Sequence, residues 1–158
     1  MNVQDYQQTL IDMYQGEVLG EALFSRLLET ETNPEMGYAY SCLLQLETET
    51  KARVRSILMR HGLPLAETES SRIQGTAWAN SLRTLDPQAF LNTFAEEIAP
   101  YAKRYSDIAQ QAVSEDAECL RYVAAHEQAI HHFLIHLQTH SPRESISIAR
   151  GLLSFPID

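Results

Sequence analysis

Four long stretches of this chain repeat apolar residues at intervals of three and four positions. This spacing puts the apolar side chains on one face of an α-helix, whereas a half-buried strand would alternate every second residue. The stretches predict helices over about residues 5–30, 35–61, 87–113 and 116–139, and strand-like alternation of comparable length is absent from the sequence. We therefore expect an all-α protein.

Residues that typically start, end or bend a helix occur at the ends of these stretches and at one position inside the third. The pairs Asn33-Pro34 and Asp86-Pro87 each combine a capping side chain with a proline suited to the first helical turn. Gly62 follows the second stretch, and glycine commonly ends a helix. Pro100 lies inside the third predicted helix and predicts a bend there, because the apolar period resumes after it.

The lengths of the connections predict the topology. Helices joined by a few residues are antiparallel neighbours, so the first pairs with the second and the third with the fourth. The segment over about residues 62–86 is long enough to run the length of the bundle as a crossover, with Trp78 anchoring it. We expect one domain, residues 1–158, in which two hairpins joined by one long crossover form an antiparallel four-helix bundle. The tail, residues 141–158, could add a short helix across one end.

Charge and hydropathy exclude two classes of partner. The chain has 12 Lys and Arg residues against 21 Asp and Glu residues, for a formal net charge of −9. This balance removes the attraction to nucleic acid and to anionic lipid, so we expect neither partner. The polar start and the lack of a long apolar run predict no signal peptide and no membrane span, and hence a cytoplasmic protein.

Acidic residues interrupt the apolar stripes, one in each predicted helix. Glu17, Glu47 and Glu127 lie within their stripes, and Glu97 lies at the edge of the third. Glu47 follows Glu17 by the same number of residues as Glu127 follows Glu97. The two pairs are therefore expected to lie at matching heights, measured from the turn of each hairpin. Buried carboxylates normally neutralise, pair with a cation or bind metal. Few Lys or Arg residues fall on these stripes, which favours a metal site.

Other assignments of the acids remain open. Glu21 could replace Glu17, and Glu96 could replace Glu97, because each pair lies within one helical turn. In the alternative without metal, one or two acids face solvent at a helix seam and the others pair with Arg residues or Tyr hydroxyls.

Three fragments carry a resemblance to a known family. Residues 16–21 (GEVLGE), 46–50 (LETET) and 126–132 (HEQAIHH) resemble the first, second and fourth ligand regions of the ferritin-like di-iron carboxylate superfamily, in the rubrerythrin-like size range. In that family two helices carry Glu-x-x-His, because the carboxylates bridge two metals and an imidazole on the same helical face completes each coordination sphere. Here Thr50 and Ile130 occupy the two histidine positions, and His131 follows one residue later.

The resemblance implies a ferritin-like bundle with two iron ions per chain, or another divalent metal. Its ligands would be Glu17, Glu47, Glu97 and Glu127, with His131 as the nitrogen donor. The implied activity is an oxidoreductase that activates oxygen or peroxide, or a role in iron handling, with a small-molecule substrate or an oxygen species as the partner. The alternative is a metal-free bundle of the same fold that binds a ligand or another protein.

Two further patterns concern the surface. His132, His136 and His140 are spaced four residues apart and form one stripe, which could bind a transition metal or be a solvated or subunit-facing edge. Leucines off the main stripe of the first helix suggest a second apolar face, and we expect a homodimer that buries it. They are Leu19, Leu23 and Leu27.

Overall fold

The computed structural model of the protein describes residues 2–113 and 115–158. Met1, which begins the polar start, and Ser114, in the predicted link between the last two long helices, lie outside the described residues. Within the described ranges the protein is all-α, as predicted, and contains no strand. The helices are α1 (Val3–Glu29), α2 (Pro34–Arg60), α3 (Glu69–Leu82), α4 (Pro87–Gln110), α5 (Ala117–His136), α6 (Pro142–Ser145) and α7 (Ser147–Leu152).

The four long helices pack as a bundle of two hairpins. α1 packs along α2, α4 packs along α5, and α2 contacts α5 between the hairpins. The two short helices α6 and α7 lie against α2 and α5, so the tail is helical and closes over that pair. No helix formed by the described residues combines the length and the apolar composition needed to cross a membrane.

Side chains cap the long helices where the sequence places capping residues. The Asn33 side chain accepts hydrogen bonds from two backbone N–H groups of α2, and Asp86 accepts one from Ala89. Gly62 has a φ of 64°, and Leu63 N–H donates to Leu58 O, which closes α2 in a Schellman motif. α4 continues through Pro100.

The long connection contains a helix that the apolar period does not detect. Apart from Leu82, the buried residues of α3 are small: Ser71, Gly75 and Ala79. Such residues add little to a hydrophobic pattern, although they lie on one helical face and let two backbones approach closely. α3 packs along α1 and covers its second apolar face, where Leu23 and Leu27 are fully buried and Leu19 is half-buried. That face is therefore covered within the chain, and it no longer argues for a second copy.

Gly75 allows α3 to lie close to α1. A Cβ at this position would overlap the backbone oxygen of Leu19 and would come within 3.0 Å of Leu23 N. Backbone atoms cannot move aside as a flexible side chain can, so we expect Gly75→Ala to reduce the free energy of unfolding by about 1–3 kcal/mol. Urea unfolding measures this change.

Gly37 provides the matched control for that substitution. It lies inside α2, and a Cβ there would come no closer than 4.0 Å to the nearest side chain. Gly37→Ala should be neutral or should stabilise the protein by up to about 1 kcal/mol, because alanine favours a helix. Equal effects of the two substitutions would contradict the close packing of α3 on α1.

Two apolar clusters fill the bundle at different heights. One cluster includes Leu10, Tyr14 and Val54, and the other includes Phe24, Leu43 and further residues of α4 and α5. On each of α1, α2 and α5, a short span between the two clusters carries a buried acidic residue. A buried polar site lies at this level.

Candidate metal centre

Four ionisable side chains are buried together between the apolar clusters. Glu17 of α1 is 1% exposed and Glu47 of α2 is 4% exposed. His126 and Glu127, adjacent residues of α5, are 0% and 8% exposed. Glu17, Glu47 and Glu127 therefore lie in the interior, as predicted.

His126 lies between two of the carboxylates. Its Nδ1 is 3.6 Å from Glu17 Oε2, and its Nε2 is 3.4 Å from Glu47 Oε1. One ligand atom from each of these three residues lies within 4.8 Å of the other two. Oxygen and nitrogen donors this close together can converge on one cation, because metal–ligand bonds of about 2.0–2.2 Å place two ligand atoms about 3 Å apart.

Most polar atoms of this cluster have no hydrogen-bond partner. Both carboxylate oxygens of Glu17, both ring nitrogens of His126 and Oε2 of Glu127 are buried and unpaired. A buried polar atom without a partner costs about 1–3 kcal/mol, and more if it is charged. Among the described residues, no Lys or Arg forms an ion pair with Glu17, Glu47 or Glu127. The cluster therefore requires protons, water or a metal ion.

Burial and mutual repulsion shift the pKa values of the cluster. Burial raises the pKa of Glu17 well above its ordinary value, and the charges of Glu47 and Glu127 raise it further. Burial also raises the pKa of Glu127 to about 7, against a lowering influence of His126. Burial disfavours the imidazolium of His126, but Glu47 and Glu127 together outweigh burial and raise the pKa of His126. The group thus holds protons that a cation would displace.

Tyr105 of α4 lies near the buried acids. Burial, then the charges of Glu127, Glu17 and Glu47, raise the pKa of its hydroxyl well above the ordinary value. A Cβ at Gly16 would lie 2.6 Å from that hydroxyl, and a Cβ at Gly20 would overlap the Glu47 carboxylate. The two glycines of α1 therefore make room for side chains that reach across the bundle from α4 and α2.

Glu97 and His131 lie outside the buried cluster. Glu97 is exposed and accepts a hydrogen bond from Trp78 Nε1, which joins α4 to α3. Glu96, its alternative, is also exposed. His131 is half-buried, and His126 is the imidazole that contacts the acids. The structure therefore gathers three of the five residues predicted as ligands and adds one that was not predicted.

The period of α5 could have indicated His126. It follows the buried Val123 by three residues and precedes the buried Ile130 by four, so it shares their face. The resemblance instead directs attention to histidines that follow Glu127. Thr50, at the other expected histidine position, is fully buried and donates its hydroxyl to Leu46 O, within its own helix.

Glu21, the alternative to Glu17, belongs to a separate ion network. It pairs with Lys51 and accepts a hydrogen bond of 2.7 Å from Thr48. Lys51 also pairs with Glu67 at 2.7 Å, and these two hydrogen-bonded acids raise its pKa although burial lowers it. Lys51 is thus engaged by Glu21 and Glu67, and it does not neutralise the buried cluster.

A small cavity reaches the cluster from the side. Its volume is about 30 Å³, and its wall includes Trp78, Tyr105, Glu47 and Glu127. The rest of the wall is mostly apolar and comes from α1 and α4. A space of this size admits a molecule as small as water or dioxygen.

Comparison of the chain with known protein families, with characterised proteins and with solved structures finds no match. The geometry and chemistry of the buried cluster are therefore what indicates a function for this chain.

Proposed function

We propose that Glu17, Glu47, His126 and Glu127 bind a divalent metal ion, with iron as the first candidate. The observation that carries the proposal is the set of buried polar atoms without a hydrogen-bond partner on Glu17, His126 and Glu127. Three carboxylates facing one imidazole leave excess negative charge in a site without Lys or Arg partners among the described residues. A divalent cation offsets this charge and supplies the missing partner to each ligand atom.

The donor set fits iron and its neighbours. Carboxylate oxygens suit Fe²⁺ and Mn²⁺, whereas imidazole suits Fe²⁺ and Zn²⁺. We propose one ion per chain at this set, although the resemblance implies two. A second ion would need the fourth acid and the second histidine of the family pattern, and here Glu97 is exposed and Thr50 replaces that histidine.

The ferritin-like relationship is part of the same proposal. Two antiparallel hairpins, the long connection between them and a carboxylate site in the middle of the bundle support it. On this basis we propose that the protein is an oxidoreductase acting with oxygen or peroxide, or a protein that handles iron. Iron bound at this site would supply the redox chemistry. The side cavity, bounded by Trp78 and Tyr105, would limit access to small molecules.

Metal content and ferrous titration test the proposal. Protein purified without chelator should contain metal, and anaerobic titration of the chelator-treated protein should end at about one Fe²⁺ per chain. At ferrous concentrations about 100 times the dissociation constant, the ion should add about 2.7 kcal/mol to the free energy of unfolding. Isothermal calorimetry and thermal unfolding measure both effects without an assay of activity.

Glu→Gln substitutions at the buried Glu47 and at the exposed Glu97 test which of the two acids binds the metal ion. Glu47→Gln should abolish ferrous binding, because it removes a charged ligand while keeping the side-chain volume. Glu97→Gln should bind iron as the natural protein does, because Glu97 lies outside the cluster. Unchanged binding in a variant carrying both Glu47→Gln and Glu127→Gln would refute the metal centre. An end point of two ions that persists when His136 and His140 are replaced by Gln would indicate a dinuclear site in the buried cluster.

The pKa shifts favour one alternative, a metal-free bundle that binds a ligand or another protein. Glu17 and Glu127 have raised pKa values, so protonation can remove part of the negative charge without a metal. In that case ferrous and manganous ions should leave the thermal unfolding of the protein unchanged. Any bound ligand would then have to be sought in the cavity and on the outer faces.

A further inference from the structure

Three histidines form a continuous stack where α5 ends. The rings of His136 and His140 lie nearly parallel, at 17°, with centroids 3.7 Å apart. His132 extends the stack, with its ring centroid 5.5 Å from that of His136. The stack lies on the surface, away from the buried acids, and the proposed function makes no use of it.

The hydrogen bonds of Ser145 determine which nitrogen of His136 carries the proton. Ser145 Oγ donates its single hydrogen to Ser141 O at 2.8 Å. The same oxygen lies 3.1 Å from His136 Nδ1, so it must accept a hydrogen from that nitrogen. In the neutral ring the proton is therefore on Nδ1, and Nε2 carries a free lone pair.

The environment of His140 leads to the same tautomer. Its Nδ1 lies 3.2 Å from the backbone oxygen of His136, and a carbonyl oxygen can only accept. Thr139 Oγ1, 2.9 Å away, can accept from the same N–H. Over the described residues, no hydrogen bond involves Nε2 of either His136 or His140. Both rings thus have a free Nε2 lone pair.

The stack also favours neutral rings. Two imidazolium cations with centroids 3.7 Å apart would repel each other. Desolvation lowers the pKa of His136, and its neighbours His140 and His132 lower it further, against a raising influence of Glu144. A neutral imidazole that donates through Nδ1 to an oxygen has the arrangement that orients histidine ligands in metal sites.

We propose that His136 and His140 form a second, surface metal site that binds a borderline divalent transition-metal ion such as Zn²⁺, Ni²⁺ or Cu²⁺ through their Nε2 atoms, with the two stacked rings tilting so that both lone pairs point at the ion. His132 supplies a third nitrogen after rotation of its exposed side chain, and water completes the coordination. Imidazole donors suit these ions better than the hard cations that carboxylates prefer. The site differs from the buried centre in its donors, and it does not depend on that centre.

Copper and zinc serve as probes of this site in the full-length chain, expressed without a histidine tag and treated with chelator. One equivalent of Cu²⁺ should give an electron paramagnetic resonance spectrum with coupling to at least two nitrogens. Zn²⁺ binding by calorimetry should weaken at least about tenfold in His136→Gln or His140→Gln, because loss of a ligand exceeds the cost of losing a residue that merely orients one.

Controls keep this test independent of the buried centre. Glu47→Gln serves as the background for all measurements, so that ions bound by the buried acids do not contribute. His131→Gln, on the same helix but outside the stack, should bind Zn²⁺ as its parent does. His140 is exposed and belongs to neither core cluster, so its substitution should not unfold the chain. Zinc affinity unchanged in both His136→Gln and His140→Gln, or a copper spectrum without nitrogen coupling, would overturn the proposal.

Discussion

Chelator-treated protein is expected to lose about 3 kcal/mol of stability as the pH rises from about 5 to about 8, through Glu127 alone. The pKa of this carboxyl group is raised by burial from 4.5 to about 7 in the folded protein. Between these values the folded state holds a proton that the unfolded state has released, so a rise in pH favours unfolding. The raised pKa values of Glu17 and His126 act in the same direction.

Urea unfolding at a series of pH values measures this effect. Glu127→Gln should reduce the pH dependence by about 3 kcal/mol, because the amide does not titrate, whereas Glu97→Gln should leave it unchanged. His136, whose pKa is lowered, acts in the opposite direction, but it is present in both variants and cancels in the comparison. Ferrous ion added near neutral pH should restore the lost stability, because a cation replaces the displaced protons. Stability that rises across this range would contradict the proton-holding cluster.

Asp116→Ala is expected to reduce the free energy of unfolding by about 3 kcal/mol. Asp116 is fully buried just before α5 and joins that helix to the ends of α1 and α2. Its carboxylate accepts hydrogen bonds from Tyr6 at 2.8 Å and Arg60 at 2.7 Å, and His61 Nε2 lies 2.8 Å away. The substitution leaves these groups without their shared acceptor. We take the lower end of the range for broken buried pairs, because Arg60 and His61 reach solvent.

Glu115→Ala is the matched control, since Glu115 is an adjacent acid that is exposed. Its effect should stay within about 0.5 kcal/mol, as is usual for surface substitutions. Chemical denaturation of the two variants at one pH gives the comparison. Equal stabilities of Asp116→Ala and Glu115→Ala would show that the buried carboxylate does not hold the end of the bundle together.

Local patterns predict most of the helical structure. The period of 3.6 residues and the capping pairs predict the four long helices, because these signals depend on neighbours along the chain. The same local signals do not predict α3. Its buried face includes the small residues Ser71, Gly75 and Ala79, and this face is buried because α1 packs closely against it.

The candidate site shows the same division. The sequence alone places Glu17, Glu47 and Glu127 in the interior, because each stands within an apolar stripe and helical geometry carries it inward. It also shows the lack of basic partners on those stripes, and hence the need for a counter-charge. The sequence does not show whether a residue at the edge of a stripe is buried or exposed, because a small rotation of the helix moves such a residue from the core to the solvent.

Only the tertiary structure decided those edge positions. α3 supplies Trp78 to hold Glu97 at the surface, whereas Tyr105 of α4 reaches the level of the acids. The rotation of α5 turns His126 between Glu17 and Glu47 and leaves His131 outside the cluster. These outcomes depend on how helices distant in sequence pack on one another, and the periodicity of a single helix contains no information about its partner.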